Sequence, residues 1–494
     1  MLKKIKNALN GNLINFIEIV LFLTIALRLY DSVVYNGDNM FMLANSKVIL
    51  ESGFPVTDPL SMHENFAYVV PQWLYAMILY AATKLSPSVV SIFGIGSTML
   101  LEFFVWKMAK QIVGNRSFAS DFFLIVMLIP LTLYFRIMRP IVFTAAFGIA
   151  EFLILEKYKG KYRPIHYITI ALLSVAQINF HNSLWLVQIL VELCFLAEAI
   201  FDKLDHREGE KISTYAIMIA ITAAAGLINP YGFNYITYIF RSLVSIIPFK
   251  EYINELRFPT DRFTWSIVIS EIAFCLYVTI KKEKFPPLRY MFLSGGFLVM
   301  YFMSLRNIAL FMTLGQAVPL WCASLIAPKE EKDRIIRYFA APIAAGLLII
   351  AFVFPTVDIN TTALGKEQDA YDMMREMEAE GFPKSKRLLT SFNFGSYPEY
   401  LGYKSYIDPR AEVFGIANNG VKDVASEYIR YFHEIDPETE QDDFNRFLDE
   451  YDFDYACMEP QTMVYYMLEH SGRFTLVRQR GDTKFYERNR EKTE

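Results

Sequence analysis

The chain has 494 residues, of which 54% are hydrophobic and 16% aromatic, and its formal net charge is −4. Its mean hydropathy is positive, and its apolar runs repeatedly reach about 20 residues, the length that crosses a bilayer core. This composition excludes an ordinary soluble protein and gives no basic surplus for binding nucleic acid. We therefore predict a polytopic α-helical membrane protein.

Eleven candidate spans follow one another along the chain, and the positively charged loops test their order. Because Lys3, Lys4 and Lys6 precede the first span, the N-terminus is predicted to be cytoplasmic and the span to be retained as an anchor. With eleven spans, each later basic cluster between spans is also cytoplasmic. The Trp73–Leu85 segment is too short to cross upright and is placed in the outer interface. The predicted spans cover residues 13–34, 88–106, 118–135, 141–155, 165–178, 184–201, 215–227, 265–280, 291–303, 310–327 and 339–354.

The composition changes after about residue 355. Residues 357–494 hold 17 Lys and Arg against 28 Asp and Glu, yet they are rich in aromatic and aliphatic residues, which disordered acidic tails lack. We predict a membrane domain over residues 1–355, with a first outer loop over 35–87, and a folded domain over 356–494. An odd number of spans places this tail outside the cytoplasm, on the same side as the first outer loop.

Alternating helix and strand patterns predict that the tail is a small α/β domain. Helices are predicted at residues 368–382, 424–435 and 439–451, and the first of them is closed by Gly381. Strands are predicted at 386–392, 404–415 and 453–458, followed by a hairpin over 474–488 that turns at Gly481–Asp482.

The four cysteines fit neither a disulfide framework nor a zinc site. Cys194, Cys275 and Cys322 lie in apolar runs, and Cys457 lies in the tail. No metal ligand is assigned and no cofactor is predicted to be required, while a divalent cation stays an open alternative.

The first outer loop carries the main catalytic candidate, Asp38. This residue begins a predicted amphipathic helix whose apolar face holds Phe41, Ala44 and Val48. Such a helix can lie on the membrane surface and hold Asp38 at the mouth of the helix bundle. The spacing leaves two interpretations open: Asp38 caps the helix, or it is a general base at a cleft. Asp58, before Pro59, forms a turn or orients a substrate.

Polar and cationic residues recur at the outer ends of the predicted spans, where an unsatisfied charge is costly and often marks a substrate path. Each arginine alone is explained by contact with lipid headgroups. Together the cations break the positive-inside bias of the outer face, which an anionic substrate such as a phosphate explains. His181 is assigned to binding and not to proton transfer, and residues 229–232 also fit a helix stop. The set comprises Arg136, Arg139, Asn179, His181, Asn182, Asn229, Tyr231, Arg241, Lys250, Arg257, Arg262, Arg306 and Asn307.

An ordered series of motifs resembles the GT-C superfamily of polyprenyl-phosphate-sugar glycosyltransferases. The series begins with an acid just past the first span and continues with ILESG, FPVTDPLS and QWLY in the first outer loop. Within the superfamily it is most similar to bacterial mannosyl-, aminoarabinosyl- or RgtA-like transferases. INFHNS, LINPYG, RNIALF and SYIDPRAEVFG further resemble a bacterial branch that ends in a soluble α/β domain. Many members have two adjacent acids in the first loop, whereas this chain has Asp38–Asn39.

The resemblance implies transfer of a hexosyl or pentosyl group from a polyprenyl phosphate to an extracytoplasmic glycan, lipid or protein acceptor, with Asp38 as the base. Arg306, then Arg139 and Arg136, are the first candidates to bind the donor phosphate, followed by Lys250, Arg241 and Arg257. The candidates for substrate binding are Asp58, His181, Asn182, Asn229, Tyr231, Asp408 and Arg410. Asp408 and Arg410 lie where a strand is predicted to end, a common place for functional residues, and an internal salt bridge or turn explains them equally well.

Two other functions are compatible with the sequence. A transporter or flippase for a lipid-linked sugar predicts inverted repeats and polar residues at the bilayer midplane, and the sequence shows neither clearly. The second alternative function is that of a non-catalytic scaffold in an envelope glycan assembly complex. The location implied in each case is the bacterial cytoplasmic membrane.

Overall fold

The computed structural model describes residues 37–113, 139–260, 262–326, 359–458 and 462–490. The predicted spans at 13–34, 118–135 and 339–354, together with Arg136, lie outside these residues. The helices of eight or more residues are Gly37–Ser52 (α1), Trp73–Leu85 (α2), Pro87–Val113 (α3), Ile141–Lys157 (α4), Pro164–Phe180 (α5), Leu186–Leu204 (α6), Ile212–Ala225 (α7), Phe233–Ser245 (α8), Arg262–Lys282 (α9), Leu288–Met303 (α10), Ala317–Ile326 (α11), Ile359–Ala379 (α12), Gln441–Tyr451 (α13) and Thr462–His470 (α14).

The chain forms two compact units. One, the helical unit, comprises the described residues of Leu85–Ile228 and Glu255–Val357. The other, the mixed unit, comprises Val33–Lys84, Asn229–Asn254 and Asp358–Glu494. The first outer loop and the C-terminal tail therefore belong to the same folded body, although some 300 residues separate them in the sequence.

The helical unit has the character of a membrane protein. In the described part of the chain, three helices are long and apolar enough to cross a membrane, Ile92–Val113, Asn182–Leu204 and Thr264–Lys282. Leu305–Phe311 and Leu314–Ile326, bent by 51° relative to each other, make a fourth if they are one span. Shorter apolar helices occupy Pro164–Phe180, Ile212–Ala225 and Leu288–Met303. The structure confirms an apolar helical architecture, and the count of eleven spans stays a prediction.

A partly buried ion network joins α4, α6 and α10. Arg289, at the start of α10, makes paired hydrogen bonds of 2.6–2.8 Å to Glu156 and of 2.7 Å to Glu198. Lys159 donates to Glu198 at 2.8 Å. These residues come from α4, α6, α10 and the segment just after α4, so the network ties three helices of the helical unit together. The cytoplasmic position of the basic loops stays a prediction.

The tail folds around a five-stranded sheet. Its strands are Arg387–Leu389 (β1), Lys404–Ser405 (β2), Tyr455–Met458 (β3), Phe474–Arg480 (β4) and Thr483–Arg488 (β5), in the order β2-β1-β3-β5-β4. β1 is parallel to β2 and β3, whereas β5 is antiparallel to β3 and β4. Gly481 takes a positive φ of 54° in the turn of the predicted hairpin. The α/β character of the tail is thus confirmed.

The segment 404–415, predicted to be a strand that runs into a polar turn, is a strand only at Lys404–Ser405. After Ser405 the chain turns, and Ala411–Phe414 forms one helical turn. Pro409 has no N–H for a sheet ladder. The Arg410 N–H instead donates to the Asp408 carboxylate at 2.8 Å, which fixes the turn.

The first outer loop is enclosed by the tail, which corrects the prediction of a membrane-surface helix for α1. Phe41 and Ala44 of the predicted apolar face are buried inside the protein, and Asn39, Asn45 and Ser46 on the other sides of the helix are buried as well. α1 packs on the Ser396–Tyr400 helix of the tail. Further along, Ser61 pairs with Ser405 in a parallel bridge, so the loop extends the β2 edge of the sheet.

Candidate active site

Asp38 lies in the first turn of α1, half-buried, at a close contact between the first outer loop and the tail. A Cβ atom added at the neighbouring Gly37 would lie 2.9 Å from the Asn393 carbonyl oxygen, 3.3 Å from Pro409 Cγ and 3.4 Å from Ser396 Oγ. Residue 37 therefore has no room for a side chain. The tail segment 393–396 and the Asp408–Arg410 turn reach the chain directly beside the candidate base.

The partners of this contact differ in exposure. Asn393 is exposed, whereas Ser396 is buried and its hydroxyl has no hydrogen-bond partner among the described residues. A buried hydroxyl without a partner is uncommon and calls for an explanation such as a ligand. The tail thus supplies the backbone carbonyl of an exposed residue, Asn393, and a buried hydroxyl next to Gly37.

Three of the predicted substrate-binding residues come together in a buried ionic cluster. Arg410 Nη1 lies 2.6 Å from Asp58 Oδ1, and its Nη2 lies 2.6 Å from Asp408 Oδ2. Glu399 Oε1 is 3.7 Å from the same Nη2, and the guanidinium carbon is 4.9 Å from the centre of the Tyr68 ring. The Arg410 side chain is only 1% exposed. Its donors are therefore used within the protein, and it joins the first outer loop to the tail.

The cluster shifts the pKa values of two of its carboxyl groups in opposite directions. Burial alone would raise the pKa of Asp58, but the charge and hydrogen bonds of Arg410 lower it below its ordinary value. Burial raises the pKa of Glu399 well above its ordinary value, and the neighbouring Asp408 raises it further. Asp58 is thus held ionised by its arginine, while Glu399 is pushed towards its neutral form.

Asn229 and Tyr231 hold local structure in the mixed unit. The Asn229 side chain accepts the Tyr231 N–H at 2.8 Å and donates to the Gly232 carbonyl at 3.2 Å, which closes a turn. The Tyr231 hydroxyl accepts the Val70 N–H at 3.1 Å. These hydrogen bonds agree with the helix stop considered from the sequence.

A second arginine cluster lies in the helical unit. Arg139 donates to both oxygens of Glu255 at 2.7 Å. Arg306, in the short helical turn Leu305–Asn307, is close enough to act electrostatically on both Glu255 and His181. Burial would raise the pKa of Glu255, but Arg139 and then Arg306 lower it. The structure therefore brings Arg139, His181 and Arg306 together.

The polar residues after α5 support this second cluster. His181 is buried, and its Nδ1 lies 2.9 Å from the Thr144 hydroxyl. Asn179 donates to the Ile228 carbonyl at 2.9 Å, and Asn182 is fully buried. The Arg257 carbonyl accepts the Leu305 N–H at 2.9 Å, which holds the turn that carries Arg306.

Two further predicted cations lie in the mixed unit. Arg241, on α8, donates to Asn234 of the same helix at 2.8 Å. Lys250 is exposed in a short helical turn after α8. In the described ranges, no group of three or more His, Cys, Asp and Glu side chains could hold a metal ion.

Sequence reasoning missed Glu255, Asn393, Ser396 and Glu399. Glu255 had a signal: it is an acid within a segment that also holds Lys250, Arg257 and Arg262, where an ion pair is expected. The others had none, because a serine, an asparagine or a glutamate in a tail gives no sign of what it contacts.

Comparison with known proteins gives matches among solved structures. No family model matches the chain, and no curated protein matches it. The oligosaccharyltransferase of Archaeoglobus fulgidus superposes with a TM-score of 0.58 at 11% identity, over 92% of this chain and 71% of that chain. ArnT from Cupriavidus metallidurans superposes with a TM-score of 0.54 at 11% identity, over 97% of this chain and 98% of that chain. Both are GT-C glycosyltransferases.

The chain has the GT-C fold. At 11% identity the likeness rests on architecture and not on shared residues. The match with ArnT runs over nearly the whole of both chains, so the GT-C fold here includes both units. A further structure of the archaeal oligosaccharyltransferase, tethered to an acceptor peptide, superposes with a TM-score of 0.58.

Proposed function

We propose that the protein is a membrane glycosyltransferase that moves a hexosyl or pentosyl group from a polyprenyl phosphate to an extracytoplasmic acceptor, with Asp38 as the general base. The GT-C fold supports this reaction class. The observation that carries the proposal is the position of Asp38: half-buried, at the start of α1, where the first outer loop meets exposed Asn393 and the Asp408–Arg410 turn of the tail.

The chemistry needs one base and cationic stabilisation. Asp38 takes the proton of an acceptor hydroxyl, and the oxygen attacks the anomeric carbon of the donor sugar. The bond from that carbon to the lipid phosphate breaks, and the phosphate leaves with the electron pair. Arg306, with Arg139 and Arg136, stabilises the charge that develops on the phosphate. Because phosphate is a good leaving group, no further acid is needed.

The other candidate residues take supporting roles. His181 and Asn182 hold the turn beside the arginine cluster, and Lys250, Arg241 and Arg257 are weaker candidates for the donor phosphate. The enclosed guanidinium of Arg410 supports a positioning role for Asp58, Asp408 and Arg410 instead of direct contact with substrate. Asn393 is the additional candidate for contact with the acceptor, since it is exposed beside Gly37.

The setting of the reaction belongs to the proposal. The protein resides in the bacterial cytoplasmic membrane, with eleven spans, a cytoplasmic N-terminus and the domain 356–494 outside. The donor is a polyprenyl-phosphate sugar, and the acceptor is a glycan, lipid or protein at the outer face. No metal is assigned to the site.

The test compares envelope glycans, glycolipids and glycoproteins by mass spectrometry in cells that make the wild-type chain, Asp38→Asn or no protein. Wild type should add a sugar that is absent without the protein. Asp38→Asn should lower that product by about 10²–10⁴-fold at equal protein level. Asp423→Asn is the matched control, because Asp423 caps the Val424–Ile429 helix and Asn caps as well as Asp.

Two outcomes would contradict the proposal. One is an unchanged glycan, glycolipid and glycoprotein profile with and without the protein. The other is Asp38→Asn protein that moves a labelled polyprenyl-phosphate sugar across proteoliposomes at the wild-type rate, which would indicate a transporter.

A further inference from the structure

The amphipathic helix α8 in the mixed unit has its apolar face turned outwards. The face towards the protein holds Tyr235, Tyr238, Ile239, Ser242 and Ser245. Five large hydrocarbon side chains lie on the outward side, next to the exposed polar Asn234, and each is between 53% and 69% exposed: Phe233, Phe240, Leu243, Val244 and, just past the helix, Ile247. A helix on a water-exposed domain shows the reverse pattern, with its apolar stripe inside.

The contacts of the inner face fix this orientation. The Tyr235 hydroxyl donates to the Val70 carbonyl at 2.8 Å. α8 packs on the Ala411–Phe414 and Ile416–Asn419 helices of the tail. At Gly415 the approach is so close that an added Cβ would lie 2.6 Å from Ser245 Cβ. The helix therefore cannot rotate to bury its outer face without losing these contacts.

The exposed face is too large to leave in water. Burying one large aliphatic or aromatic side chain gains about 1.5–3 kcal/mol, and contiguous apolar patches of this kind mark a membrane or protein contact. An amphipathic helix with this arrangement is suited to the boundary between lipid headgroups and acyl chains.

Features around α8 favour a bilayer over a protein partner. At its N-terminal end the Phe54 ring contacts Trp73 and Tyr231, with centroids 5.3 and 5.7 Å apart. Trp and Tyr concentrate at membrane interfaces. Arg241 folds back along the helix to Asn234, and Lys250 is exposed after its end, which places positive charge where anionic headgroups would lie. The same chain carries helices that are long and apolar enough to cross a membrane, so a bilayer is the expected neighbour of this helix.

We propose that α8 is an in-plane interfacial helix, and that the face formed by Phe233, Phe240, Leu243, Val244 and Ile247 inserts into the outer leaflet. The helix anchors the mixed unit on the membrane surface. This inference does not depend on the glycosyltransferase proposal, because it concerns where the protein meets lipid and not what it catalyses.

The test is the depth of spin labels in the full chain, reconstituted in phosphatidylglycerol-containing liposomes. Single cysteines replace Phe240, Val244 or Ile247 in a chain whose four native cysteines are substituted. Val421 and Val477 serve as controls, because they are 53% and 55% exposed in the tail. Labels on α8 should collide with oxygen in preference to a water-soluble nickel chelate, at about 5–10 Å below the phosphates. Labels at the two controls should show the opposite preference.

A second measurement keeps the native cysteines. Phe240→Trp should be quenched by brominated acyl chains, whereas Val477→Trp should not, each measured as the difference from the parent chain. Equal nickel access at residues 240 and 421, together with no bromine quenching at 240, would overturn the proposal. The proposal would also be overturned if two copies labelled at residue 240 showed dipolar broadening that persists when the protein is diluted in detergent. A second copy of the chain would then cover the face.

Discussion

The two arginine clusters, one in each unit, contain the same kinds of side chain but differ in burial and charge balance. In the mixed unit, three carboxyl groups surround Arg410, whose side chain is 1% exposed. In the helical unit, Arg139 and Arg306 act on one carboxylate, Glu255, whose side chain is 42% exposed. The first cluster holds its cation fully buried among acids, whereas the second is partly exposed to water.

This difference separates a structural role from a binding role. A buried cation with matched acids cannot accept an anionic ligand without leaving those acids unpaired in a low-dielectric site. A partly exposed cluster that contains two arginines attracts an anion at a lower desolvation cost. Sequence position alone does not distinguish them, because both sets of arginines lie next to polar turns in motifs of the same resemblance.

The largest expected effect concerns the stability of the matched cluster. Arg410→Met leaves Asp58 and Asp408 buried without their cation and should cost about 3–5 kcal/mol, measured by thermal unfolding in detergent and by proteolysis of the tail. Arg430→Met is the control, because Arg430 pairs with Glu440 at the surface. Equal changes in the two variants would show that Arg410 is not a structural cation.

A substitution in the second cluster should lower the rate of sugar transfer and leave the stability of the fold unchanged. Arg306→Gln removes a donor to the departing phosphate and should lower sugar transfer by about 10²–10³-fold, with an unchanged unfolding temperature. Arg207→Gln, an exposed cation after α6 that pairs with Asp205, should leave transfer unchanged. If Arg306→Gln lowered the amount of folded protein, Arg306 would have a structural role instead.

The buried cluster should also show a pH dependence through Glu399. Because its folded-state pKa is raised, the stability it contributes is full below its unfolded pKa, about 4.3, and is lost as pH rises through the folded-state pKa. At pH 8, Glu399→Gln should therefore unfold at a temperature about 2–4 °C higher than wild type. The difference should shrink towards pH 5. A variant less stable than wild type at pH 8 would contradict the raised pKa.

The smallest effect should come from the acid that partly neutralises the second cluster. Glu255→Gln releases Arg139. At low salt it should lower the concentration of polyprenyl-phosphate sugar that gives half-saturation about twofold to fivefold. Since exposed charges are screened, the gain should disappear near 1 M salt. Weaker donor binding would mean that Glu255 orients Arg139 and does not compete with the donor.

The local elements of the tail could be predicted because their signals are short-range. Gly381 takes a positive φ after α12, and Gly481 does so in the β4–β5 turn, where the sequence places a helix end and a hairpin. The α2 helix, Trp73–Leu85, has the predicted bounds. Each of these features depends on neighbouring residues and on the 3.6- or two-residue period.

The assembly of the candidate site could not be predicted in the same way. Arg410 and Asp58 are 352 positions apart, and no local pattern pairs them. An Asp408–Arg410 salt bridge was one of the sequence interpretations, and it is present at 2.6 Å, but its third member was not foreseen. The enclosure of α1 was missed for the same reason, because its covering helix, Ser396–Tyr400, lies more than 340 residues away.

The bridge between Ser61 and Ser405 has a consequence for biogenesis. A loop that leaves the ribosome early is completed by a strand made near the end of synthesis. Until that strand arrives, Asp58 lacks its cation and α1 lacks its cover. A chain released before residue 405 would thus insert its helices in the bilayer yet leave the Asp38 region unfolded, so a truncated product would be inactive and open to proteases.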